Sequence, residues 1–124
     1  MRAQNNMLSK TCRIVNDTKK TVLSEKALCC TSLWRKASGL MFSSQKDLIF
    51  IEQKEKIIPL HMFFVFYPID VVYLDGSRKV VEIKEHFLPF TFYTPERKAQ
   101  YVLELTSGAV HASGTKVTDF LVFQ

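Results

Sequence analysis

The chain has 124 residues, of which 47% are hydrophobic and 23% charged, and its formal net charge is +5. It therefore sits among globular rather than disordered chains, and residues 1–124 suffice for one domain whose core needs no metal or disulfide staple. No apolar run reaches the roughly 18 residues of a membrane helix, and MRAQNNMLSKTCRIV lacks the apolar stretch of an export signal, so a soluble, cytoplasmic protein with no membrane partner is expected.

Residues 1–9 are polar and are expected to be weakly ordered. KTCRIVN (10–16) alternates as a strand does, Asp17-Thr18-Lys19-Lys20 suits a turn, and TVLSEKALC (21–29) suits the returning strand. Cys12, Cys29 and Cys30 have no spacing that suits structural zinc, and an odd count argues against a disulfide framework. Buried thiols are the expectation. Residues 1–40 carry eight Lys/Arg against two acids, and the remainder nine against ten. A basic N-terminal third raises weak nucleic-acid binding as an alternative function. Its cations are scattered among Ser, Thr and Asn, however, so a solvated edge is favoured and nucleic acid is not the expected partner.

Thr31 and Ser32 could cap a short helix over LWRKAS, with Gly39 ending it and Trp34 and Ala37 on its docked face. LIFIEQ (48–53) and IIPLHMFFVF (57–66) suggest a hairpin, with Pro59 confining the second strand to an edge or bulge. IDVVYLD (69–75) and KVVEIKE (79–85) flank the turn signal Asp75-Gly76-Ser77. Their imperfect alternation implies burial on much of both faces. HFLPFTFYTPERKAQ (86–100) reads as a connection with aromatic anchors, YVLEL (101–105) as a strand, TSGAVHASG (106–114) as a turn or single helical turn, and KVTDFLVFQ (116–124) as the closing strand. The expected fold is mainly β within the α+β class: seven to eight short strands with one or two short helices, in a mainly antiparallel sheet curled or doubled to form a core.

RKASGLM (35–41), LIFIE, HMFFVF, YPIDVVYLDGSRKVVEI (67–83), YVLEL and the small-residue turn after it occur in an order that resembles the family catalogued as domain of unknown function 192. The resemblance covers about residues 27–124 and implies a compact β-rich fold of sandwich or half-barrel type, but no assigned reaction. Two departures stand out. Many bacterial relatives begin with an export signal, and the family's usual Gly-Asp turn before the last strand is Thr118-Asp119 in this chain.

Among the polar residues, His61 precedes a run of apolar residues and reads first as a hydrogen-bonded structural imidazole. Asp70 shares its parity with Val72 and Leu74, so its carboxylate should point partly inward and accept backbone N–H groups, bracing the Pro68 corner. Glu82 and Glu104 sit within apolar strands, where Arg35 or Arg97 could pair with them. No metal-ligand, nucleotide-cradle or nucleophile motif is present, and no cofactor is expected. The favoured function is a small soluble accessory or binding domain. Its shallow aromatic and polar groove, built from His61, Asp70, Phe90, Tyr93 and Arg97, would take a small polar ligand or a peptide. The alternative is a hydrolytic or metal-assisted enzyme using His61 with Asp70 or Glu104, which requires those side chains to converge.

Overall fold

Residues 10–30, 45–63 and 65–124 are described by a computed structural model. The strands among them are β1 (Thr11–Asn16), β2 (Thr21–Cys30), β3 (Asp47–Lys56), β4 (Leu60–His61), β5 (Ile69–Leu74), β6 (Val80–Phe87), β7 (Phe92–Tyr93), β8 (Ala99–Thr106) and β9 (Leu121–Phe123). A single short helix, α1 (Ala109–Ser113), follows β8 among these residues. The helix expected around Trp34 lies outside the described residues.

Seven strands form one curled sheet in the order β6-β5-β8-β3-β2-β1-β9, and β4 and β7 form a separate two-stranded ribbon. The expected half-barrel with short strands is therefore present. Its curl comes round on itself. Val80 N–H donates to the Asp119 carbonyl at 2.8 Å, Thr118 N–H to the Val80 carbonyl at 2.8 Å and Leu121 N–H to the Arg78 carbonyl at 3.0 Å. The segment entering β9 thus hydrogen-bonds the opposite edge strand, leaving fewer open backbone groups along the rim.

The β1–β2 and β5–β6 hairpins follow the sequence expectation. Asp75 makes the second turn: its Oδ1 accepts from Ser77 N–H at 2.9 Å and Lys79 N–H at 3.0 Å. Two pairings differ. Strands β2 and β3 run parallel, Ala27 opposite Asp47 through Cys30 opposite Phe50, which requires a crossover of a dozen or more residues between them. The expected hairpin of 48–53 with 57–66 does not form, because β3 is flanked by β2 and β8 while β4 pairs with β7. Pro59 precedes β4 and has no N–H to continue a ladder, so the chain leaves the sheet there.

Every residue of β5 is buried, because both of its faces are covered. One face joins Val71 and Tyr73 to Leu48, Phe50, Val102 and Phe87, under a cover of Ile58, Leu60, Met62 and Val65 from the ribbon segment. The other joins Val72 and Leu74 to Ile14, Ile49, Leu103, Leu105, Val110 and Leu121 inside the curl. A side chain of β5 or β8 therefore belongs to the ribbon side or to the helix side according to its parity.

Candidate functional site

The ribbon is an outer layer over the first core. Leu60 and Met62 turn inward, so His61 between them turns to solvent. Leu60 lies opposite Tyr93 and His61 opposite Phe92. Two further backbone bonds lock the layer: Met62 N–H donates to the Thr91 carbonyl at 2.9 Å, and Phe90 N–H to the Met62 carbonyl at 2.7 Å. Phe90 holds a left-handed φ of 61° to complete this turn. Thr91 Oγ1 donates to the Leu88 carbonyl at 2.6 Å and stiffens it further.

This framework presents large apolar side chains to water. Phe92 is 70% exposed and Phe66 64% exposed, with Phe63, Leu88 and Phe90 exposed beside them. They meet one another in edge-to-face contacts, Phe63 with Phe92 at 4.9 Å and Phe66 with Phe90 at 5.5 Å between centroids. Single exposed apolar residues are ordinary, whereas two exposed ring pairs flanking one short ribbon make an apolar patch. His61 lies at its edge, 5.1 Å from the Phe63 ring, and its Nδ1 accepts from Phe63 N–H at 3.3 Å.

Tyr93 and Glu82 anchor the far side. The Tyr93 hydroxyl donates to Glu82 Oε2, while Glu82 Oε1 accepts from Glu96 N–H and Arg97 N–H at 2.9 Å each. Glu82 therefore meets Arg97 through its backbone amide, and the 94–97 loop is hung from one carboxylate. Burial, and then the bond to Glu82, push the Tyr93 phenol up to about 12, keeping it a neutral donor at physiological pH.

Asp70 stands elsewhere. It is 1% exposed on the helix side of the sheet, opposite Leu105. Its Oδ1 accepts from His86 N–H at 2.9 Å, and its Oδ2 from Gly108 N–H and Val110 N–H at 3.0 Å each. One carboxylate thereby supports the bulge at His86, whose φ is 52°, and supplies α1 with the N-terminal acceptor that Gly108 cannot provide. The inward carboxylate accepting backbone N–H groups is as expected, but what it braces is the β6 bulge and the start of α1 rather than the Pro68 corner. Glu104, opposite Val71, points to the ribbon side. Asp70 and Glu104 thus occupy opposite faces, and His61 faces outward beyond the covering ribbon. The structure therefore gives no support to a hydrolytic constellation of His61 with Asp70 or Glu104: parity puts the two acids on opposite faces, and His61 is exposed on the outside of the ribbon. Among the described residues no group of three or more His, Cys, Asp or Glu side chains is placed to hold a metal.

A polar network with little local signature in the sequence lies where β9 closes the curl. Asp119, 4% exposed, accepts at Oδ2 from Lys19 Nζ at 2.7 Å, Asn16 Nδ2 at 2.9 Å and Lys116 N–H at 3.0 Å. Asn16 Nδ2 also donates to Thr115 Oγ1 at 3.0 Å. Burial alone would raise the Asp119 carboxyl, but Lys19, Asn16 and the Lys116 amide together hold it below the ordinary carboxylate value. The only advance signal was the Thr118-Asp119 turn; the bond to Asn16 spans 103 residues of sequence. Thr118 keeps a left-handed φ of 81°, the conformation that the family's usual Gly-Asp turn favours, so the corner stays tight without glycine.

In the basic N-terminal third, Arg13 pairs with Glu25 at 3.1 Å, Lys19 with Asp119 at 2.7 Å and Lys20 with Asp17 at 2.9 Å. These pairings locally neutralise three of its cations. No helix among the described residues is long and apolar enough to cross a membrane.

A family model, DUF192, described as an uncharacterized ACR, matches residues 14–123, extending the similarity N-terminally into β1. A UPF0127 protein of Thermococcus sibiricus is 31% identical over 110 residues, covering 86% of this chain and 71% of its own. A UPF0127 protein of Pyrococcus furiosus is 35% identical over 86 residues, covering 67% and 73% respectively. Among solved structures, a candidate transcription regulator from Sinorhizobium meliloti 1021 superposes with a TM-score of 0.79 at 18% identity, over 91% of this chain and 92% of its own. A protein of unknown function from Novosphingobium aromaticivorans gives 0.77 at 19%, over 90% and 83%. At these identities the structural likeness concerns the fold.

Proposed function

The chain belongs to the DUF192 family, and from that premise we propose that it is a small accessory or binding domain whose β4–β7 ribbon docks an apolar segment of a peptide or protein. The observation that carries this reading is the group Phe63, Phe66, Leu88, Phe90 and Phe92, exposed on a backbone-locked layer above a complete core. Removing such rings from water on binding is worth about 1.5–3 kcal/mol each when burial is complete, and a rigid platform loses little conformational freedom on docking.

A peptide is favoured over a small polar ligand. Asp70, the carboxylate expected to receive such a ligand, holds three backbone amides on the other side of the sheet. His61, Tyr93 and Phe90 remain in the proposed surface, and Arg97 borders it through the loop that Glu82 suspends.

Selecting a random-peptide library on the immobilised full chain tests this reading. Apolar or aromatic peptides should be enriched, and Phe90→Ala and Phe92→Ala should each weaken them roughly 10–30-fold, the size of an interface anchor. Peptides that bind the double variant as tightly as the native protein, or no enrichment at all, would show that the ribbon is not a docking surface.

A further inference from the structure

The expectation for the cysteines was burial, yet Cys12 and Cys29 are only partly buried, and their sulfurs lie 3.7 Å apart across β1 and β2. The register brings them together. Cys12 stands opposite Ala27, and Cys29, two residues further along β2, shares the face of Ala27. The two thiols are thus a diagonal cross-strand pair on the side of the second core. Neither supports the Asp70 brace, the Asp119 network or the aromatic ribbon.

We propose that Cys12 and Cys29 form a reversible dithiol–disulfide site that reacts with small-molecule disulfides such as glutathione disulfide. One cysteine, as thiolate, attacks a sulfur of the reagent, forming a protein–glutathione mixed disulfide and releasing one glutathione thiolate. The second cysteine then loses its proton and attacks the protein sulfur of that mixed disulfide. The new Cys12–Cys29 bond forms as the second glutathione leaves. In sum, two protein thiols give up two electrons and two protons, and one disulfide reagent becomes two thiols.

Geometry makes the second step intramolecular, because the resolving sulfur is already within van der Waals reach. It also makes the product labile. A disulfide bond is about 2.05 Å long and best spans Cα atoms about 5.5–6 Å apart, whereas diagonal partners stand at about 7–8 Å. Closing the bond strains the β1–β2 ladder, and strained disulfides are the readily reduced ones. The Cys12 thiol is pushed up to about 11 by burial first and by Cys29 beside it, so the reaction should accelerate as pH rises above neutrality.

The test incubates the full native chain with glutathione disulfide, stops exchange by acidification, blocks free thiols with N-ethylmaleimide at mildly acidic pH and maps the digest without reduction. A Cys12–Cys29 cross-linked peptide, two hydrogens lighter than its reduced parts and recovered as free thiols after dithiothreitol, is expected. Cys30→Ser should leave that cross-link intact. Cys12→Ser and Cys29→Ser should each abolish it and accumulate glutathione on the remaining partner. The proposal is overturned if native protein gives only stable mixed disulfides, a bond through Cys30, or three free thiols. Because the native chain alone decides between these outcomes, misfolding of a variant does not blunt the test.

Discussion

Asp70 and Thr118 show how single residues carry this fold. Replacing Asp70 by Ala leaves the amides of His86, Gly108 and Val110 without their acceptor in a site that is 1% exposed. A loss of about 3–5 kcal/mol in urea unfolding is expected, whereas His61→Ala, at an exposed position, should stay within about 0.5 kcal/mol. Equal effects would mean that Asp70 is not the brace. Thr118→Gly should act in the opposite sense, relieving a left-handed backbone at a φ of 81° and raising stability by about 1 kcal/mol in the same measurement. At Asp119 the carboxyl is held below its ordinary value, so its stabilisation is complete above the unfolded value near 4 and is lost as pH falls through the lower native one. The stability gap between native protein and Asp119→Asn should therefore shrink as pH is lowered from 5 towards 2. A gap that widened on acidification would contradict the assignment. The inward direction of Asp70 was legible from its parity with Val72 and Leu74. The Asp119 network was not, because its partners come from opposite ends of the chain and leave no local pattern.

Among the elements, the β5–β6 hairpin was the most legible, since Asp75-Gly76-Ser77 and the flanking β-branched residues point to one local structure. The ribbon was the least legible. Strands β4 and β7 are two residues each, and their pairing joins segments about thirty residues apart, so no periodicity could announce it. The apolar run of IIPLHMFFVF suits a strand beside β3, but the parallel β2 and antiparallel β8 occupy that strand's two sides instead. The 94–97 loop depends on Glu82 in turn. Glu82→Ala should free the amides of Glu96 and Arg97, speeding their hydrogen exchange at least tenfold while the β5 amides stay protected. Unchanged exchange at both amides would mean that the loop is held by other contacts.

At the level of the whole molecule, the curled sheet separates two kinds of surface. Its inside is braced by the Asp70 and Asp119 systems, both rich in buried acceptors with named donors. Its outside bears the ribbon, where aromatic rings face water above a core that does not require them. A mainly β sheet, curled or doubled on itself, could be anticipated from composition, turns and alternation, and its half-barrel form from the family resemblance. Which face would carry function could not, because it depends on which polar groups the fold consumes internally. The N-terminal charge excess falls in the same class: with Arg13, Lys19 and Lys20 paired among the described residues, elution from heparin at low salt is expected, and tight, steeply salt-dependent retention would restore the nucleic-acid reading. The most direct measurement of the central claim is a backbone NMR titration of the native chain with a library-selected apolar peptide. Shifts confined to residues 57–66 and 87–93 are predicted, with the amides of Gly108, Val110 and Lys116 unmoved. Shifts centred on those three amides, with the ribbon silent, would contradict it.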